Sequence, residues 1–218
     1  MSTDNWTFDE YYLWGNTYTA ADGDAQSPVD ISSINMKECN LMCQLKYNYK
    51  TMPCKVQFDT HKRVLLNCEA GSYLNFNNRN YPLTEMSIHI PSLHSIDGEK
   101  YDAEILLIHK TDQSGNPDSV DNGIIVSRML KKVSSNYGSI NDFLTQFIYQ
   151  IPKDPIDYFK SVNVNDWGPN MIVNQDKKSF YMYNGSLPFP PCNEKYHIIV
   201  YEDIGEYLKP IIIFLKLI

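Results

Sequence analysis

Histidines, cysteines and carboxylates are where this sequence could do chemistry, and their spacing restricts what that chemistry could be. The five histidines are His61, His89, His94, His109 and His197. A catalytic metal centre needs three donors converging on one point, with a fourth position open for water. His61 and His197 lie on separate segments and offer no i, i+2 partner to His89. His94 and Glu104 have the residue types of an acid–base pair. The cysteines Cys39, Cys43, Cys54, Cys68 and Cys192 are odd in number and contain no C-x-x-C spacing. They predict reduced thiols in a cytosol-like compartment. A zinc site made from them would need Cys39, Cys43 and others to converge.

The elements that must position these groups are mostly strands. Runs between turn signals predict strands at Leu45–Tyr49, Cys54–Phe58, Arg63–Cys68, Tyr73–Phe76, Met86–Ile90, Ala103–His109, Gly123–Ser127 and Tyr196–Tyr201. Helical spacing is convincing around Ile140–Ile148, where Ile140, Phe143, Leu144 and Phe147 share a face, with Ser139 or Asn141 as the expected cap. The apolar stretch Pro210–Ile218 reads as a buried strand. No repeat or linker composition breaks the chain, so one β-dominated domain over residues 1–218 is expected. A net charge of −7 disfavours nucleic acid and anionic surfaces as partners. The pairs Lys62-Arg63, Lys131-Lys132 and Lys177-Lys178 are the nearest approach to a basic cluster. No apolar run reaches the ~20 residues of a membrane span. The first residues lack the features of a secretory signal, which predicts synthesis in the cytosol. Without a signal, the sequons at Asn5 and Asn184 carry little weight.

Three segments, in order, change the reading. Gly23-Asp-Ala-Gln26-Ser27-Pro28-Val29-Asp30-Ile31 is the first. Ser87-Ile-His89-Ile-Pro91, followed by His94-Ser-Ile-Asp97-Gly-Glu-Lys-Tyr101-Asp-Ala-Glu104-Ile-Leu106-Leu-Ile-His109, is the second. Phe180-Tyr-Met-Tyr183-Asn-Gly185-Ser186-Leu187-Pro188-Phe-Pro190-Pro191 is the third. Together they resemble the α-carbonic anhydrases over most of the chain. The resemblance implies a large, twisted, mostly antiparallel sheet with a conical cleft and short peripheral helices. It also implies strands after Tyr201 for which little sequence remains, so a C-terminally shortened sheet with an exposed edge is expected.

In that family three histidines hold zinc, whose bound water becomes a nucleophilic hydroxide near neutral pH. The resemblance places the ligand positions on His89, Pro91 and Leu106, of which only His89 has a donor. Slipping the first strand by two residues puts Ser87 and His89 in the first two places and still leaves one imidazole. The hydroxide-orienting threonine falls on Pro188 and its acidic partner on Leu93. The proton-shuttle position falls on Ser72, and the glutamine bracing a ligand falls on Ser87. These residues therefore read as a vestigial active site with no cofactor. Ser27, His94, Glu104 and Tyr183 match a buried hydrogen-bonding cluster of the family, and Glu194 matches a further structural position.

The resemblance then implies a pseudoenzyme, which leaves two binding roles. Expected first is a structural, protein-binding subunit of a virion or organellar assembly. The alternative is a surface adhesion module binding sulfated glycosaminoglycan, as in the similar poxvirus surface protein, although the acidic balance opposes it. Zinc-dependent carbonate dehydration is the minor alternative. A contiguous basic groove would favour glycan, and flat apolar patches would favour assembly.

Overall fold

The computed structural model describes residues 6–37, 45–58, 61, 63–68, 71–111, 123–135, 139–146, 148, 162–173 and 179–208. Fourteen strands are described, the first eight being β1 (Asp30–Ile31), β2 (Leu45–Asn48), β3 (Met52–Phe58), β4 (Val64–Cys68), β5 (Tyr73–Phe76), β6 (Arg79–His89), β7 (Ser95–Ile96) and β8 (Glu99–Lys100). The later strands are β9 (Ala103–Lys110), β10 (Gly123–Val133), β11 (Val162–Trp167), β12 (Phe180–Gly185), β13 (Tyr196–Tyr201) and β14 (Gly205–Leu208). One main sheet has the order β11-β3-β4-β6-β9-β10-β13-β12, with β2, β5 and β14 attached, and β1, β7 and β8 form a small second sheet. Pairing in the main sheet is antiparallel except where β10 meets β13 and β14. The mostly β, mostly antiparallel architecture expected from the sequence is the one observed.

Central position explains composition. In β9, Ala103 through His109 are all buried, because both faces of the strand are covered. Side chains alternate between those faces. Ile105 and Leu107 join a large core with Leu74, Met86, Val126 and Phe143. Leu106 and Ile108 face the other way, into a second core with Trp6, Leu187, Phe189 and Tyr196. The helix α1 (Ser139–Thr145) covers the first core through Ile140, Phe143 and Leu144. It lies close because Gly205 has no side chain: a Cβ there would strike Ile140 and Leu130.

Several expectations need amendment. Asn141 is a buried residue within α1, so it does not cap it. Phe147 and Pro210–Ile218 lie outside the described residues. The strands β11, β12 and β14 and the two-residue β1, β7 and β8 are not among the expected strands, and β14 extends the sheet beyond Tyr201 by pairing with Leu130–Val133. Cys54 is disulfide-bonded, against the reduced-thiol expectation. Its cross-strand Cα partner is Cys68, and directly opposed residues of antiparallel strands lie within bridging range. Sequence spacing carried no sign of that opposition. Cys192 is a free, buried thiol, and burial pushes it up to about 11. No helix among the described residues is long and apolar enough to cross a membrane.

Candidate functional site

Strands β6 and β9 run antiparallel with Ser87 opposite Leu106 and His89 opposite Glu104. That register puts the three potential ligand-bearing positions Ser87, His89 and Leu106 in one patch of one face. Ser87 and Leu106 are fully buried and His89 is 6% exposed. The His89 Nε2 is 3.0 Å from Ser87 Oγ. Pro91 lies past the end of β6 and is exposed. It therefore lies apart from Ser87, His89 and Leu106, although the resemblance makes it a ligand position. Pro188 is buried, and Leu93 is half-buried against the second core.

Aromatic rings occupy the space beside His89. Phe8 meets its imidazole edge-on at 5.6 Å, and Phe189 lies tilted by 25° at 6.2 Å. Trp6 packs on Phe8, Trp14 and Phe189 and is itself 8% exposed. His61, from the turn between β3 and β4, stacks on Trp6 at 3.7 Å, and its Nδ1 is 2.7 Å from the Trp6 carbonyl oxygen. The guanidinium of Arg63 sits 4.3 Å from the Phe189 ring centroid and 3.5 Å from Glu85 Oε1. None of Trp6, His61, Arg63 or Phe189 stood out as a site residue in the sequence. Phe189 lies inside the third motif, where the resemblance gives an active-site position to its neighbour Pro188 and none to Phe189. Ser72, by contrast, is buried and tied to the chain before β3: its hydroxyl accepts from the Lys50 N–H at 3.0 Å and donates to the Lys50 carbonyl.

As a metal site this donor set does not fit zinc. One imidazole, already hydrogen-bonded to a serine, faces a leucine, with the next candidate position an exposed proline. Among the described residues no three of His, Cys, Asp and Glu group as a metal ion would require.

Two residues away on β9 the picture reverses. Glu104 is fully buried, and both its oxygens are saturated by donors. Oε1 lies 2.5 Å from His94 Nδ1 and accepts from Ser127 Oγ at 2.6 Å. Oε2 accepts the backbone N–H groups of Leu93 (2.7 Å) and His94 (2.8 Å). On the far side of the ring, His94 Nε2 is 2.6 Å from the Tyr183 hydroxyl, which donates to Ser27 Oγ at 2.9 Å. Ser27 and Ser186 then exchange backbone N–H donations onto each other's hydroxyls, at 2.9 and 3.1 Å. Glu194 closes this end of the molecule by accepting from the Ala25 N–H and the Gln26 amide. Burial pushes the Glu104 carboxyl up, but the charge and hydrogen bonds of His94 and the Ser127 hydroxyl outweigh it and hold the group at about 2. Glu104 is thus a carboxylate fixed by donors on every side, with no lone pair free for a substrate. Ser127 was invisible in the sequence, because a serine in an apolar strand carries no sign of its partner.

A model of the eukaryotic-type carbonic anhydrase family matches residues 9–209. Dioscorin DB3L of Dioscorea polystachya is 26% identical over 93% of this chain and 72% of its own length. A carbonic anhydrase of Nostoc sp. is 27% identical over 79% of this chain and 60% of its own length. The chain thus spans 60–72% of these two relatives. Among solved structures, a hyperthermostable carbonic anhydrase from a hydrothermal vent chimney superposes with a TM-score of 0.78 at 26% identity, over 94% of this chain and 86% of the other. Motifs, sheet and superposition agree: the chain belongs to the eukaryotic-type carbonic anhydrase family.

Proposed function

We propose that this chain is a non-catalytic member of the family, acting as a structural, protein-binding subunit of a larger assembly such as a virion or organellar complex. One observation carries the reading. The ground in front of the single remaining imidazole, His89, is filled by the chain's own Phe8 and Phe189 rings, with Trp6 packed on both, beside a leucine where a zinc ligand is needed. Hydration of carbon dioxide needs a metal-bound water, a polar group to orient it and an open path for substrate. The residues present supply none of these: Pro188 has no hydroxyl, and Leu93 has no carboxylate to receive one.

The surface supports a protein partner over a sulfated glycan. Tyr11 and Tyr12 are 68% and 71% exposed, with Leu13 exposed beside them, and Ile34, Met36 and Met182 are exposed elsewhere. Several basic groups are already engaged. Arg63 lies over aromatic rings, Arg128 pairs with Asp203, Lys131 pairs with Glu206, and Lys100 donates to the Ser92 and Leu93 carbonyls. A strong sulfate site needs such groups free and clustered.

Purified without chelator, the protein should hold well under one zinc per chain and should not hydrate carbon dioxide. Stoichiometric zinc, or a hydratase activity blocked by a sulfonamide, would overturn the non-catalytic reading. For the partner, heparin retention should vanish at modest salt, since exposed charges are screened beyond ~8 Å at physiological ionic strength. Submicromolar glycan binding that survives physiological salt and is lost on changing Lys131 and Lys132 to Ala would replace the assembly role with adhesion.

A further inference from the structure

The strand β10 ends in a group of ammonium and hydroxyl side chains that the site around His89 does not use. Lys131-Lys132-Val133 close the strand, and Ser134 and Ser135 follow it at a bend. Both lysines and both serines are exposed. Together with Val133 they line an open depression of about 650 Å³. Pairing with β9 stops at Leu130, opposite Ala103, so the last three residues of β10 project beyond it. Their other edge pairs with Glu206–Leu208 of β14, which holds the chain extended as far as Val133. Successive side chains of an extended strand point to opposite sides, so the two ammonium groups diverge. Lys131 lies 3.2 Å from Glu206, but the two side chains are 51% and 40% exposed. An exposed ion pair of this kind is worth little and yields to a stronger acceptor.

We propose that Ser134 is a phosphorylation site for a basophilic serine kinase, one whose substrate groove has separate carboxylate pockets for the residues three and two before the acceptor. No other serine or threonine of the chain has a basic residue at both of those places. Ser135 has Val133 two residues before it and so offers one ammonium only. Both lysines are already at the surface, and an extended backbone needs no unwinding to enter a groove. In the transfer, the Ser134 hydroxyl oxygen bonds to the γ-phosphorus of a nucleoside triphosphate as the bond to the bridging oxygen breaks. The diphosphate leaves, and the hydroxyl proton passes to a carboxylate of the kinase. The product adds a charge of about −2 and three acceptor oxygens at the end of β10. This inference is independent of the non-catalytic and assembly readings, because it uses none of the residues around His89.

The test incubates the full, folded chain with magnesium ATP and the catalytic subunit of a cyclic-nucleotide-dependent serine kinase, and maps the product by intact-mass and peptide mass spectrometry. One phosphate per chain, on Ser134, is the expected result. Ser134→Ala should abolish it and Ser135→Ala should leave it in place. Lys131→Ala with Lys132→Ala should lower kcat/KM at least about tenfold, through loss of charge-assisted hydrogen bonds to the kinase. Lys131→Arg with Lys132→Arg keeps both charges and should hold the rate near that of the parent. All four positions are exposed, so each variant should melt with the parent, which separates lost recognition from lost folding. A kinase that requires acidic residues after its acceptor should leave Ser134 unlabelled, since Ser135-Asn136-Tyr137 follow it. No phosphate on the folded chain, phosphate on another residue in place of Ser134, or a rate indifferent to the loss of both lysines would each overturn the proposal.

Discussion

Glu104 and Leu106 stand two residues apart on one strand, and their surroundings have opposite character. Around Glu104 every polar atom has a partner, in a chain running from Ser127 through His94 and Tyr183 to Ser27. Around Leu106 lie a leucine, a phenylalanine, a tryptophan and one histidine bonded to a serine. A buried charge is expensive to orphan but stable when fully satisfied, so its partners must be kept or lost together. A patch that holds no buried charge has no such constraint. Its donors can be replaced one by one with apolar residues, each burying surface instead of stranding a charge. The two regions thus differ in how freely sequence change can alter them.

The sharpest way to break the contrast is Glu104→Gln. The amide keeps the shape but places an NH₂ where Ser127, His94 and two backbone N–H groups all donate. Removing one partner from a buried charged network costs roughly 3–5 kcal/mol, a large share of the 5–15 kcal/mol typical of a domain. Urea denaturation at neutral pH should report a loss of that order. A variant that melts within a degree or two of the parent would mean that the network does not stabilise the fold.

Acid should act on the same region by a route that leaves the sequence intact. The folded state holds Glu104 at about 2, below its ordinary value of 4.5. Its contribution is therefore complete above pH ~4.5 and is lost as pH falls toward 2. His109 behaves likewise from a higher start. Burial pulls its imidazole down from 6.5 to about 4, where its Nε2 meets the Tyr49 hydroxyl at 2.9 Å and its Nδ1 faces the Ile124 carbonyl. Protonation is favoured in the unfolded chain, so stability falls between pH ~6.5 and ~4 as that histidine takes up its proton. Each shift corresponds to about 3 kcal/mol. Denaturation midpoints measured at pH 7.5, 5 and 3 should decline in two stages, and His109→Gln should flatten the first. A single acid transition below pH 4 would remove His109 from this account.

A smaller effect is expected at the outer end of the network. Tyr183→Phe deletes one hydroxyl and leaves His94 Nε2 and Ser27 Oγ each one partner short. Leaving buried polar groups unpaired costs about 1–3 kcal/mol. Tyr183 is half-buried, so water can reach part of the gap and the value should sit at the low end. If Tyr183→Phe costs as much as Glu104→Gln, the hydroxyl is integral to the charged core of the network and not its edge.

Much of this contrast is present in the residues themselves. Ala103–Ile108 is apolar but for one glutamate, and such a run reads as a strand covered on both faces. A lone carboxylate there demands partners, and the motifs carry His94, Ser27 and Tyr183. The resemblance equally puts ligand positions on Pro91 and Leu106. Register is where sequence reasoning stops. Ser127 reaches Glu104 through the pairing of β10 with β9, and Cys54 faces Cys68 through that of β3 with β4. His61 reaches Trp6 because a turn brings distant segments together. Pro91 lay outside the strand because β6 ends at His89. The strand β11 is hidden in the sequence although Val162-Asn-Val164-Asn alternates, since asparagines weaken strand propensity until pairing with β3 overrides it.

The smallest expected effect tests the other half of the comparison. Ser87 and His89 form a polar pair on the face with Leu106, 3.0 Å apart. Changing one alone breaks that hydrogen bond and keeps the other polar group in an apolar setting, which should cost about 1–3 kcal/mol. Changing both, as Ser87→Ala with His89→Leu, removes donor and acceptor together and adds apolar surface against Phe8 and Phe189. Replacing both partners of a buried hydrogen bond with apolar groups of similar shape is nearly neutral, so the double variant should match the parent within about 1 kcal/mol. The single variants should each be worse than the double, a non-additivity that a double-mutant cycle reads directly. A double variant as damaged as the sum of its parts would show His89 held by more than packing and Ser87. It would then share the constraint of Glu104, and the two ends of this face would no longer differ.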